Sequence, residues 1–454
     1  MTDINHITHI YFLGIGGIGM SALARYFYTR GVSVSGYDKT PSRLTGELQE
    51  EGIPVIYDDD PASLEVMPEL VVYTPAIPPS NQLFRHFRNH QVPMQKRAEV
   101  LGTISSGIPT IAVAGTHGKT TISAMLTHIL KVAGIPCVSF LGGISTNYNS
   151  NYIGDPNPRW MVAEADEFDR SFLRLSPYLA LISSIDTDHL DIYGSREALT
   201  ENFASFANKI DPRGALVSKK GIAEKISFSG NHYSYHPAGM ADYRLKDVEL
   251  CQGRYKATID GAVSIEGLKP GHPGMHNLEN ALGAAALAHQ AGVSAEKIRE
   301  GLNSFNGVRR RFEICLQTEQ NVYVDDYAHH PEEIRACIAS ARAMWPGRKL
   351  TGVFQPHLFS RTKELADEFA ESLSALDELI LMDIYPAREA PIEGVSSQLI
   401  LSRVKLQQSM YCPREELLDL LEKRETDVLL TMGAGDIDRF AGPITQLLKN
   451  KALS

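Results

Sequence analysis

The stretch TIAVAGTHGKTT at residues 110–121 narrows the possible folds of this chain more than any other. An apolar run at 111–114 has the length and bounding of a buried strand. It is followed at once by Gly115, Thr116, His117, Gly118, Lys119, Thr120 and Thr121, then by a helix-like segment at 122–131. Strand, glycine-rich turn, Lys-Thr and helix form the layout of a phosphate-binding loop. Its backbone N–H groups cradle a polyphosphate at a helix N-terminus, where the dipole favours anions. Lys119 supplies a charge for the β/γ-phosphates, and Thr120 a hydroxyl for Mg²⁺. The spacing departs from G-x-x-x-x-G-K-T, which would need glycine where Val113 stands. The loop predicts a bound nucleoside triphosphate.

A second glycine-rich turn lies near the start. A strand at 7–13 leads into Gly14, Gly16, Gly17, Gly19, Met20 and Ser21, then a helix through 30 and a strand at 32–37 that ends at Asp38. Gly14, Gly16 and Gly19 satisfy G-x-G-x-x-G, with an acidic residue one strand on, in a βαβ setting. The pyrophosphate and ribose of NAD satisfy such a site, and those of a UDP-sugar satisfy it equally. An NAD-dependent oxidoreductase is therefore one reading of this half. It leaves the loop at 115–121 and the carboxylates beyond it without a role. A non-enzymatic ATP switch is a third reading, but it needs no separate pyrophosphate-binding unit.

Polar residues recur at the carboxyl ends of predicted strands, where open parallel sheets bind ligands. Thr74 follows the run 70–73, and Arg97 begins a helix where a guanidinium meets a ligand anion or solvent. Four carboxylates within 164–169 follow the apolar run 160–163, and they suit a hard cation, with Glu164 the foremost candidate. His189 follows the run 178–185. Asn277 and Asn280 are spaced to share one helical face, at the start of an Ala-rich helix. Arg309, Arg310 and Arg311 precede a third region, in which Asp325–Asp326–Tyr327 and later His357 and Arg361 end strand-like runs. Residues 105–109 read as a linker, and the Asn/Pro-rich segment 146–158 as a mobile loop.

At 454 residues the chain has room for two to four domains. The fold class predicted is α/β with three domains: a Rossmann-like unit at 1–107, a central P-loop ATPase-like, mostly parallel sheet at 108–306, and a Rossmann-like unit at 307–454. A net charge of −10 provides no basic field for nucleic acid or anionic membranes. Five scattered cysteines without metal-ligand spacing, no basic leader and no long apolar run predict a cytoplasmic protein. No membrane or nucleic-acid partner is expected, and a monomer or homodimer is.

Taken in order, these motifs resemble the Mur ligases of bacterial cell-wall synthesis. The resemblance runs through GIGGIGMS (14–21), TPAI (74–77), GTHGKTT (115–121), EADEFD (164–169), DHLD (188–191), GMHNLEN (274–280), RRF (310–312), DDYAHHP (325–331) and FQPH (354–357). It implies ATP- and Mg²⁺-dependent ligation of L-alanine to the lactyl carboxylate of UDP-N-acetylmuramate through an acyl phosphate. It also implies roles. Gly14, Gly16, Gly17, Gly19, Met20, Ser21, Asp38, Thr74 and Arg97 would hold the UDP-sugar. Gly115, Thr116, His117, Gly118, Lys119, Thr120, Thr121, Asn280, Arg311 and Asp326 would hold ATP. Thr120, Glu164 and His189 would hold the metal, and Tyr327, His357 and Arg361 the amino acid. Lys119, His189, Arg311 and His357 would be the catalytic set. Leu358 stands where family members often carry Arg. A sister activity, attachment of a recycled murein tripeptide to the same sugar nucleotide, is the nearest alternative.

Overall fold

The computed structural model describes residues 4, 6–186, 195–251, 253–387 and 389–453, and omits the side chains of 168, 169 and 453. Three α/β sheets are present among them. The first has the order β3-β2-β1-β4-β5, from β1 (His9–Leu13), β2 (Ser33–Tyr37), β3 (Val55–Ile56), β4 (Leu70–Tyr73) and β5 (Met94–Lys96), all parallel. The order reverses between β1 and β4, which opens the crevice at their carboxyl ends.

The second sheet is built from β6 (Thr110–Ala114), β7 (Cys137–Ser145), β8 (Ser150–Gly154), β9 (Trp160–Glu164), β10 (Pro177–Ile182), β11 (Ala215–Lys219), β12 (His232–His236), β13 (Tyr243–Cys251), β14 (Arg254–Gly261) and β15 (Ile265–Leu268). Their order is β15-β14-β13-β12-β11-β10-β6-β9-β7-β8. β6 is buried along its whole length and runs parallel to both neighbours, β10 and β9. An uninterrupted apolar run is what a central parallel strand covered on both faces requires. The third sheet orders β16 (Glu313–Gln317), β17 (Val322–Asp326), β18 (Leu350–Phe354), β19 (Glu378–Leu381), β20 (Ser409–Tyr411) and β21 (Val428–Met432) as β16-β17-β21-β18-β19-β20. Only its edge strand β16 is antiparallel to its neighbour.

The chain divides into two compact units: 1–247 with 257–268 and 279–306, and 248–256 with 269–278 and 307–454. One continuous apolar core underlies the first two sheets, from Phe12 and Phe27 through Phe140 to the stacked pair Phe172–Phe206 at 5.0 Å. Among the described residues no helix is long and apolar enough to cross a membrane.

Two sequence expectations are corrected. Ser105, Ser106 and Gly107 complete the helix Arg97–Gly107, which stops only before Pro109. The Ser105 hydroxyl donates to the Gly102 carbonyl and accepts from the Ser176 N–H, so its polarity is spent locally. Segment 146–158 contains β8, an antiparallel partner of β7 with Phe140 opposite Tyr152. Its Asn and Pro content suggested a loop, but Asn151, Tyr152 and Ile153 are all buried.

Candidate active site

The carboxyl ends of the adjacent strands β10, β6 and β9 meet at the loop 115–121. Gly115 and Gly118 carry positive φ values of +128° and +82°, a backbone region that favours glycine. A Cβ on Gly115 would press on the backbone nitrogens of Ser183 and Ser184, each 2.9 Å away. One on Gly118 would lie 2.5 Å from Asn280 Oδ1, so Asn280 stands directly over the turn. The Ser184 hydroxyl accepts from the His117 N–H at 3.1 Å and shares a 2.7 Å bond with the Thr116 hydroxyl. The helix Lys119–Val132 then leaves with Thr120 and Thr121 buried in its first turn.

Lys119 Nζ donates to the Gly115 carbonyl at 2.7 Å and to both Glu167 oxygens at 2.9 and 2.8 Å. Burial disfavours its charge. The carboxylates of Glu167, Asp166 and Glu164 outweigh that and hold its pKa above the ordinary lysine value. Thr120 Oγ1 donates to Glu164 Oε2 at 2.9 Å. The Glu164 carboxylate fits against β7 because position 142 is glycine, where a Cβ would collide with it. Two hard oxygen donors at the phosphate end of the loop suit a hard divalent cation. Among the described residues no group of three His, Cys, Asp or Glu forms a metal site. His189 lies outside the described residues.

The first glycine turn is equally constrained. The Gly14 and Ile15 N–H groups donate to the Tyr37 carbonyl at 2.8 and 3.0 Å, fastening the turn to the end of β2. Gly14 has φ +85°, and the Thr74 methyl lies where its Cβ would go. The Gly16 N–H donates to Asp38 Oδ2 at 2.8 Å. The Arg97 guanidinium lies against Gly19, leaving no room for a side chain there. Gly14, Gly16, Gly19, Asp38, Thr74 and Arg97 are thus gathered at the crevice between β1 and β4, with Gly17, Met20 and Ser21 opening the helix Ile18–Tyr28 behind them.

In the second unit, the guanidinium groups of Arg310 and Arg311 each lie 5.0 Å from the Tyr327 ring centroid. Arg310 is pinned by Asp325 at 3.4 Å and by the Gly433 carbonyl. Asp326 accepts the N–H groups of Phe312 and Ala328 at 2.6 and 2.7 Å. Burial nevertheless pushes its pKa up to about 7, against the pull of Arg311 and those two donors. Burial likewise holds His276 down at about 4, so it stays neutral beside Arg311. His357 stacks on Tyr385 at 5.8 Å and lies 6.1 Å from His329, whose ring meets Tyr327 at 5.2 Å. Arg361 lies on the helix that follows, Phe359–Glu364. Leu358 has φ +71°, so the turn between His357 and that helix is strained.

The Asn277 amide donates to the Pro273 carbonyl and closes the turn before the helix. Ser183, Ser184, Glu167 and Tyr385 were not singled out from sequence. The two serines directly follow an apolar strand, the same signal that marked Glu164.

A glycine-rich loop with a half-buried lysine and a hydroxyl–carboxylate pair, together with a second glycine turn on its own parallel sheet, is the arrangement of a nucleotide-dependent enzyme. Models of the Mur ligase family, catalytic domain, the Mur ligase middle domain and the Mur ligase, glutamate ligase domain match residues 9–108, 113–288 and 310–435. The chain is 47% identical to a UDP-N-acetylmuramate–L-alanine ligase of Parabacteroides distasonis, over 98% of each chain. It is 46% identical to one of Porphyromonas gingivalis, over 97% of this chain and 99% of the other. The crystal structure of a UDP-N-acetylmuramate–alanine ligase from Thermotoga maritima superposes with a TM-score of 0.85 at 28% identity, covering 98% of this chain and all of that one. A murein peptide ligase from Psychrobacter arcticus shares the fold, with a TM-score of 0.70 at 22% identity over 97% and 98% of the two chains. The chain belongs to the Mur ligase family and is an ATP-dependent ligase. The oxidoreductase reading of the first glycine turn is thereby set aside.

Proposed function

We propose that this ligase joins L-alanine to the lactyl carboxylate of UDP-N-acetylmuramate in peptidoglycan precursor synthesis, in the cytoplasm, as a monomer or homodimer. Relatives at 43–47% identity along nearly the whole chain carry that activity in their names. The observation that carries the reading is the convergence of Lys119, Thr120, Glu164 and Asn280 on one glycine turn, with a separate glycine turn closed by Asp38, Thr74 and Arg97.

In this reading residues 1–107 hold the sugar nucleotide, 108–306 hold ATP, and 307–454 bring the amino acid. A lactyl carboxylate oxygen attacks the γ-phosphorus, the bond to the β–γ bridging oxygen breaks, and ADP leaves. The deprotonated alanine amine attacks the acyl carbon, and the tetrahedral adduct expels phosphate that carries the former carboxylate oxygen. Bringing two anions together demands charge neutralisation and alignment. Lys119 and Arg311 supply positive charge, and backbone N–H groups of 115–121 cradle the phosphates. Thr120, Glu164 and His189 would hold Mg²⁺, which screens phosphate charge when bound. Asp326 would meet the ATP ribose. Tyr327, His357 and Arg361 would line the amino-acid pocket, with Arg361 on the alanine carboxylate.

The test is phosphate release from ATP with Mg²⁺ and UDP-N-acetylmuramate, with amino acids added singly. Release that requires L-alanine supports the reading. Release only with L-alanyl-γ-D-glutamyl-meso-diaminopimelate favours the tripeptide-adding sister activity instead.

A further inference from the structure

The β7–β8 hairpin, which the catalytic reading leaves unused, carries a buried asparagine between the two glycine turns. Asn151 has no exposed surface. Its amide nitrogen donates to the Ser21 hydroxyl at 2.9 Å and to the Ile18 carbonyl, both in the first turn of the helix Ile18–Tyr28. Its amide oxygen accepts from Arg25 Nη1, on the next turn of the same helix. Arg25 is itself buried and its Nε donates to Glu51 Oε2 at 2.8 Å. Further along, the Tyr152 hydroxyl meets Thr29 Oγ1 at 3.2 Å, and Tyr26 packs on Phe140 of β7 with centroids 5.4 Å apart.

The opposite end of that contact reaches the phosphate loop. β7 pairs with β9, and Gly142 of β7 makes the space that the Glu164 carboxylate fills beside Thr120. One hairpin therefore touches both the helix that begins at the first glycine turn and the carboxylate at the second. Of the residues gathered at the first turn, Ser21 accepts a hydrogen bond from Asn151, whereas Asp38, Thr74 and Arg97 lie on the first sheet or its connections.

We propose that Asn151 is a positioning residue that sets the helix Ile18–Tyr28 against the central sheet, so that the carboxylate to be activated lines up with the γ-phosphate. This rests on the function proposed above. A bound reactant displaced by about 1 Å loses roughly 100-fold in rate without loss of its binding contacts. Asn151 thus acts on the transfer step: its one bond to a residue assigned to the sugar nucleotide is to the Ser21 hydroxyl, which keeps its own bond to the Ile18 carbonyl when Asn151 is removed.

The experiment compares wild type, Asn151→Ala and Asn151→Asp in L-alanine-dependent phosphate release. Dissociation constants for UDP-N-acetylmuramate and for ATP are measured separately by calorimetry. The expected result is a kcat lower by about 10- to 100-fold with both dissociation constants unchanged. The aspartate variant keeps the Arg25 acceptor and loses the donor to Ile18 and Ser21. It gives the same reading if the alanine variant does not fold. An unchanged kcat, or a loss of sugar-nucleotide binding in step with kcat, overturns the positioning role. Absence of turnover by the wild type overturns the reading beneath it instead.

Discussion

Lys119 Nζ sits 2.8 Å from Glu167 Oε2, and the Glu167 side chain is 1% exposed. A lysine held this way has its charge balanced before any polyphosphate arrives, and replacing Glu167 by Gln leaves that ammonium short of a partner. Breaking a buried pair on one side costs about 3 kcal/mol. Glu167→Gln is expected to lower the melting temperature and to show a larger ATP-induced rise than wild type, because the phosphates replace the lost counter-charge. Equal ATP-induced rises in the two proteins would contradict the assignment of Lys119 to ATP. Lys119→Ala is expected to abolish turnover while UDP-sugar binding survives.

Thr120 and Glu164 meet at 2.9 Å at the phosphate end of the loop. Glu164→Ala should lower turnover by about 100-fold, which is about 2.7 kcal/mol of barrier, and raise the Mg²⁺ concentration needed for half-activation. A titration with Mg²⁺ at saturating ATP reads this directly. An unaltered titration would remove Glu164 from the metal site.

Asp326 gives the second unit a pH dependence with a definite sign. Its carboxyl is raised to about 7 in the folded chain, against about 3.9 unfolded. The folded state therefore holds the proton more tightly, and its contribution is full below about pH 4 and is lost as pH rises through about 7. The difference amounts to at most about 4 kcal/mol. Asp326→Asn should flatten the slope of stability against pH between those limits in urea unfolding. An unchanged slope would mean that another group sets it.

Gly118 has φ +82° and no room for a methyl group beside Asn280 Oδ1. Gly118→Ala forces about 1 kcal/mol of backbone strain on the turn and displaces Asn280. KM for ATP is expected to rise about tenfold, with KM for the sugar nucleotide unchanged. A parallel rise in both would place Gly118 in a general structural role.

The sheets and both glycine turns were legible because each rests on local signals. β6 is a short apolar run, and Gly14, Gly115 and Gly118 take positive φ where the spacing asked for turns. Partnerships made across strands were not. Glu167 was one carboxylate among four, and only the adjacency of β9 to β6 turns it toward Lys119. Asn277 and Asn280 share a helical period, yet one closes a turn on Pro273 and the other covers Gly118. Segment 146–158 misled because its asparagines were counted as loop formers, whereas Asn151 is buried by hydrogen bonds to a helix more than a hundred residues earlier.

The most direct test of the central claim is the fate of one oxygen atom. UDP-N-acetylmuramate labelled with ¹⁸O in its lactyl carboxylate is turned over with ATP, Mg²⁺ and L-alanine, and the released phosphate is analysed by mass spectrometry. Activation of the carboxylate by the γ-phosphate predicts one ¹⁸O in each phosphate formed, with ADP as the other product. Phosphate without label, or release of AMP and pyrophosphate, would contradict it.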